Sequence, residues 1–131
     1  MRRICVGLGA MAMALGVLAS PAVAGPVEGL RVLFYLPDSV EMAGSSQRDI
    51  QLALAEHRNN PGAKIELVGH SNCFEDQPMY LSEQRTQIVA DALVQMGVSR
   101  DDISMRWVGG AEAGPGNALN QRVDIKFADA N

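Results

Sequence analysis

The sequence predicts an α/β domain of the two-layer α+β kind, β-α-β-α-β-β in order, with a four-stranded mixed sheet and two helices on one face. Three observations predict it. Four short segments are rich in β-forming residues, two longer ones carry apolar residues at helical spacing, and turn formers separate them all. Two helices covering one face of such a sheet is the economical way to bury both sets of apolar residues.

The elements follow in order. Arg31 to Leu36 (RVLFYL) reads as a strand, bounded by Pro37 and Asp38. Ser45 and Ser46 are helix caps, and Ile50, Ala53, Leu54 and His57 then recur at i, i+3, i+4 and i+7. Asn59, Asn60, Pro61 and Gly62 end that helix, and Ile65 to Val68 forms a second, short apolar strand before Gly69. After a polar loop from Ser71 to Met79, Ser82 is the expected cap of a second helix. Its stripe is Ile88, Val89, Ala92, Leu93 and Met96, and Gly97 suits the position just past its end. Ile103 to Val108 reads as the third strand, with Ile103, Met105 and Trp107 alternating against Ser104, Arg106 and Val108. A loop of Gly109, Gly110, Gly114, Pro115 and Gly116 leads to the last strand. This strand, Arg122 to Phe127, has Val123, Ile125 and Phe127 on one face and charges on the other.

The chain opens on Met1-Arg2-Arg3, an apolar run from Ile4 to Leu18, and the small residues Ala22-Val23-Ala24. That is the pattern of a cleaved export signal, and the apolar run is short for a membrane span, which needs about 20 residues. The expected organisation is a signal peptide over 1–24, a polar lead over 25–30 and one domain over 31–131, located in the periplasm in association with the cell wall or outer membrane. The alternative is an uncleaved N-terminal anchor. No cysteine stands at the cleavage point to take a lipid, and no later apolar stretch is long enough to cross a bilayer. Cys5 would leave with the leader, making Cys73 a lone and most simply a buried, inert thiol, with an intermolecular disulfide as the alternative. Loss of Arg2 and Arg3 makes the exported chain more acidic than the formal net charge of -4, which argues against nucleic acid as a partner.

For catalysis the candidates are His70, Ser71 and Cys73. A cysteine nucleophile needs a base and an orienting group within reach, and none of C-x-x-C, H-E-x-x-H or G-x-S-x-G surrounds them. His70 is more simply a strand-end hydrogen-bonding residue. A metal site would require His70, Cys73, Glu75 and Asp76 to converge from one loop. The expectation is a non-enzymatic domain without cofactor or metal.

Three motifs carry a resemblance: Gly69-His70-Ser71-Asn72, Leu81-Ser82-Glu83-Gln84-Arg85-Thr86 and Asn120-Gln121-Arg122-Val123. In their order and spacing, over about Val32 to Phe127, they resemble the OmpA-like domain, whose pattern runs G-H-T-D, L-S-x-x-R-A and N-R-R-V. The resemblance implies a domain that grips the diaminopimelate residue of the peptidoglycan stem peptide. It implies that Arg85 answers a carboxylate with a bidentate fork and that the residue at 72 answers an ammonium. Ser71, Asp38 and Arg122 stand at neighbouring polar positions of the same implied site. Asn72 occupies the aspartate position, so the charge-assisted part of that contact is lost, and Glu75 or Asp76 could supply a charge in its place. Thr86 replaces the pattern's alanine without expected consequence. The residues themselves also single out Arg85. With the helix starting at Ser82, it falls in the first turn, where the macrodipole disfavours a cation, and on the margin of the apolar stripe. It is either a ligand-binding group or half of an ion pair with Asp38 or Asp91. Two partner classes follow: peptidoglycan, or, for a domain that kept only the fold, a protein of the cell envelope.

Overall fold

The computed structural model describes residues 29–111 and 118–128. The expected signal segment and most of the lead lie outside these residues. Strand β1 spans Leu30–Phe34, helix α1 Ser46–Asn59, strand β2 Lys64–Gly69, helix α2 Pro78–Gln95, strand β3 Ile103–Trp107 and strand β4 Arg122–Ala128. Short 3₁₀ turns at Arg100–Asp102 and Ala118–Asn120 precede the last two strands. The sheet runs β1-β4-β2-β3. β2 and β3 are parallel, and β4 is antiparallel to both β1 and β2. This is the expected mixed sheet.

Register decides which residues meet the helices. Leu33 lies opposite Val123, Leu67 opposite Ile125, and Ile65 opposite both Phe127 and Ile103. With side chains alternating along each strand, these form one apolar face. It is buried against Ile50, Ala53 and Leu54 of α1 and Val89, Ala90 and Leu93 of α2. Arg122, Asp124 and Lys126 occupy the opposite face, as their alternation in β4 requires.

The helix ends follow local chemistry. The Ser46 hydroxyl accepts the Phe34 amide at 2.9 Å and is buried, so it ties the start of α1 to β1. Ser45, the expected cap, makes no side-chain capping bond. α2 ends in a Schellman arrangement: Gly97 has φ 104°, its amide reaches Val94 O at 3.0 Å, and the Val98 amide reaches Leu93 O at 3.0 Å.

Two expectations for α2 are corrected. The helix begins at Pro78, not Ser82, because Gln77 turns the chain in a left-handed conformation (φ 48°) and Pro78 then supplies a helical φ with no amide to satisfy. Ser82 instead donates to Met79 O at 2.8 Å and accepts the Gly109 amide at 3.0 Å. The buried face is also rotated from the apolar stripe. It comprises Leu81, Ser82, Arg85, Thr86, Val89, Ala90 and Leu93, while Ile88 and Met96 are exposed. Polar residues hold its N-terminal half because their donors and acceptors are all met inside the protein.

Candidate functional site

Gly69 at the end of β2 sets the site. A β-carbon there would collide with Thr86 Oγ1 and with the Ser82 carbonyl oxygen, so only glycine lets α2 lie this close to the strand. Thr86 is therefore not a neutral replacement: it is fully buried, donates to Ser82 O at 2.6 Å and fills the space Gly69 leaves. This close approach, with the earlier helix start, puts Arg85 about two turns inside α2 and directly beneath the loops after β1 and β2.

Arg85 is fully buried. Its Nε donates to Ser39 O at 2.9 Å. Nη1 donates to Glu75 Oε2 at 2.9 Å, with Ser71 Oγ at 3.3 Å and His70 O at 3.4 Å. Nη2 donates to Glu75 Oε1 at 2.5 Å and Leu36 O at 3.3 Å. The Tyr35 ring lies 5.1 Å from the guanidinium carbon, within cation–π range. Burial pushes the Tyr35 hydroxyl well above the usual phenol range, against a smaller opposing pull from the Arg85 charge.

Glu75 is the partner of this guanidinium, and its side chain is 3% exposed. Besides the two-pronged contact with Arg85, Oε1 accepts the Asp38 amide and Oε2 the Asn72 amide, both at 2.9 Å. A carboxylate offers about four lone-pair sites, and here each is met by a donor. Asp38 delivers its amide from a left-handed conformation (φ 52°), rare for a residue with a β-carbon. Its own Oδ1 accepts the Asp76 amide at 2.7 Å, which latches the two loops together.

The sequence-expected residues are thus placed as follows. Arg85, Asn72 and Asp38 meet one carboxylate, and Ser71 joins them through Arg85, whose Nη1 donates to its hydroxyl. Asn72 takes part through its backbone, while its side-chain oxygen accepts the Phe74 amide at 3.2 Å in an Asx turn. Arg122 is on the far face of the sheet, donating to Asp124 Oδ1 at 3.0 Å, Leu119 O at 3.2 Å and Asn120 Oδ1 at 3.3 Å. Neither Asp38 nor Asp91 forms the ion pair considered for Arg85: Asp91 pairs with Arg100 at 2.8 Å. Glu75 was expected at most to supply a charge toward a ligand, and its enclosure by Arg85 has no signature in spacing.

His70 does not face Cys73. Its Nε2 lies 3.1 Å from Asp124 Oδ2, on the outer face of the sheet. Burial would raise the Asp124 carboxyl, but the hydrogen bond from His70 and the charge of Arg122 outweigh it and hold the group below the usual carboxylate range. Cys73 is not a free thiol in the structure. The lone-thiol expectation applies to a chain shortened at Ala24, and Cys5 lies outside the described residues. Among the described residues no three His, Cys, Asp or Glu side chains converge as a metal site would need, and no helix is long and apolar enough to cross a membrane.

The family model of the OmpA family matches residues 34–124. The chain belongs to the OmpA family. Solved OmpA-like structures share its fold. The peptidoglycan-associated lipoprotein of Burkholderia pseudomallei aligns with TM-score 0.67 and 20% identity, over 75% of this chain and 90% of that one. The OmpA-like domain of FopA1 from Francisella tularensis aligns with TM-score 0.66 and 18% identity, over 78% and 75%. The periplasmic domain of Helicobacter pylori MotB aligns with TM-score 0.63 and 19% identity, over 76% and 71%. No curated protein matches the chain. In this OmpA-family member the arginine of the L-S-x-x-R motif is enclosed by Glu75, three residues beyond the position where the family pattern has its aspartate.

Proposed function

We infer that this OmpA-family chain is a non-catalytic, exported envelope domain that associates with peptidoglycan in the periplasm, through a carboxylate of the stem peptide received at Arg85. The observation that carries this reading is the cradle itself. A guanidinium fork and two backbone amides converge on one carboxylate-sized position at the end of the sheet, and the Ser71 hydroxyl helps to hold the fork by accepting from Arg85 Nη1. Planar, bidentate donors of this kind suit a carboxylate better than any neutral group. The likeness to a peptidoglycan-associated lipoprotein supports the same reading.

A second reading is favoured by one observation, that Glu75 already fills the cradle: the domain then serves as a protein-interaction module of the envelope. Co-sedimentation with purified sacculi separates the two. The comparison is between wild type and a folded Glu75→Leu/Arg85→Met variant, which lacks both the guanidinium of the cradle and the carboxylate that fills it. Wild type is expected to be retained in part in the pellet and the double variant to stay in the supernatant. Equal sedimentation of both would remove Arg85 from the site, and wild type left wholly in the supernatant would favour the protein partner.

A further inference from the structure

Whether Glu75 replaces the missing aspartate or blocks the site is decided by its hydrogen bonds. A carboxylate that receives a ligand ammonium must keep an oxygen open toward solvent. Glu75 keeps none: its four acceptor positions are taken by Arg85 Nη1 and Nη2 and by the amides of Asn72 and Asp38, and its side chain is enclosed. It stands where a ligand's carboxylate would stand, on the donors that would bind one.

We propose that Glu75 is a resident carboxylate plugging a carboxylate receptor, and that an external carboxylate, such as one on a peptide, binds there only by displacing it. This rests on the reading of the Arg85 cradle as the wall-binding site. The segment that carries the plug is built to leave. Ser71 is pinned through its amide to Gly109 O at 2.8 Å, and Cys73 packs tightly on Gly110. Beyond Cys73 the holds are few. Phe74 is 56% exposed and contributes no core anchor. Among the described residues Asp76 is held through its amide by Asp38 Oδ1, and Gln77 is a left-handed hinge before α2. Release of the carboxylate and that latch, with opening of the local turn in which Asn72 accepts the Phe74 and Glu75 amides, frees Phe74 to Gln77 while α2 and the sheet stay packed. The consequence is weak basal binding: a cradle open about 1% of the time weakens apparent affinity about a hundredfold.

Chemical rescue tests this. Glu75→Ala, wild type and Glu75→Leu/Arg85→Met are titrated with sodium acetate at an ionic strength held constant with sodium chloride, and the melting temperature is followed. Glu75→Ala is expected to show a saturable rise specific to acetate, since a ligand bound only to the folded state raises Tm with concentration. Wild type and the double variant are expected to show none. No acetate-specific rise in Glu75→Ala, or an equal one in wild type, overturns the proposal. Should Glu75→Ala fail to fold in either salt, Glu75→Gln decides. It keeps the side-chain volume but not the charge, and its retention on sacculi should exceed wild type by about tenfold or more; equal retention overturns the plug. The two ideas fail separately. Acetate rescue with no variant retained on sacculi upholds the plug and removes the wall as ligand. Wild-type retention without acetate rescue or gain in Glu75→Gln removes the plug and leaves wall binding standing.

Discussion

Removing either half of the Arg85–Glu75 pair should destabilise the fold far more than removing both. In Arg85→Met the Glu75 carboxylate stays buried with only the Asn72 and Asp38 amides to serve it. In Glu75→Leu the guanidinium keeps the carbonyls of Ser39, His70 and Leu36 and the Ser71 hydroxyl, but no counter-charge. Both side chains are nearly fully enclosed, so each single change leaves an uncompensated buried charge, which costs about 3–5 kcal/mol. The double variant replaces a buried ion pair with apolar groups of similar volume, an exchange that is commonly close to neutral. It leaves two amides and four oxygens to find other partners, so a net cost of about 1–2 kcal/mol is expected. The cycle should therefore show a coupling of several kcal/mol, well beyond the ~0.5 kcal/mol scatter of independent sites. Urea unfolding of all four proteins measures it, with Tm shifts of about 4–8 °C per kcal/mol for a domain of this size as a check. Single-variant costs that add within ~0.5 kcal/mol would refute the description of Arg85 and Glu75 as one closed unit.

Two further outcomes follow from the packing and the outer-face network. Gly69→Ala forces a β-carbon onto Thr86 Oγ1 and the Ser82 carbonyl and should cost about 1–3 kcal/mol; adding Thr86→Ala should recover only part, since the Ser82 oxygen is backbone, and full recovery in urea unfolding would count against the close approach. For Asp124, whose folded-state pKa is held below the usual carboxylate value, against burial, by His70 and Arg122, the linkage sign is definite. The stabilisation is present above the unfolded value of about 3.9 and disappears as pH falls through the lower folded value. Stability measured from about pH 5 down to pH 2 should fall less steeply in Asp124→Asn than in wild type, and parallel curves would exclude Asp124 as a contributor.

Much of the fold was legible because most elements follow periodicity alone. β4 shows strict alternation, α1 a regular apolar face, and Gly97 a stop whose left-handed φ the structure repeats. The start of α2 is hidden because Ser82 looks like a cap, although Pro78 at the first helical position is a readable signal. The buried face of α2 was misjudged for a deeper reason. An apolar stripe equates polarity with exposure, but Ser82, Arg85 and Thr86 are polar yet buried, each satisfied by a partner distant in sequence or a turn away. The site suffered likewise. Arg85 stood out, but that Glu75 rather than Asp38 or Asp91 meets it depends on the loop's path, which the left-handed Asp38 and Gln77 determine and no spacing rule encodes.

The loop also explains why position 72 does without a charge. Asn72 and Glu75 close on each other: the Glu75 amide donates to Asn72 O at 3.0 Å, the Asn72 amide donates to Glu75 Oε2 at 2.9 Å, and Asn72 Oδ1 takes the Phe74 amide. A carboxylate at 72 could make the same Asx turn, but it would set a second negative charge beside Glu75 over a single guanidinium. Two carboxylates that share one site cannot both stay ionised cheaply. An aspartate at 72 and an enclosed Glu75 are therefore alternatives, not supplements. In the family pattern the acid sits at the strand end, where the resemblance implies that it faces a ligand. In this chain it sits three residues later, on a turn that folds it inward. Moving one carboxylate along a loop keeps the cradle's charge balance and reverses its direction. Restoring an aspartate at 72 should therefore open the site only when Glu75 is neutralised as well.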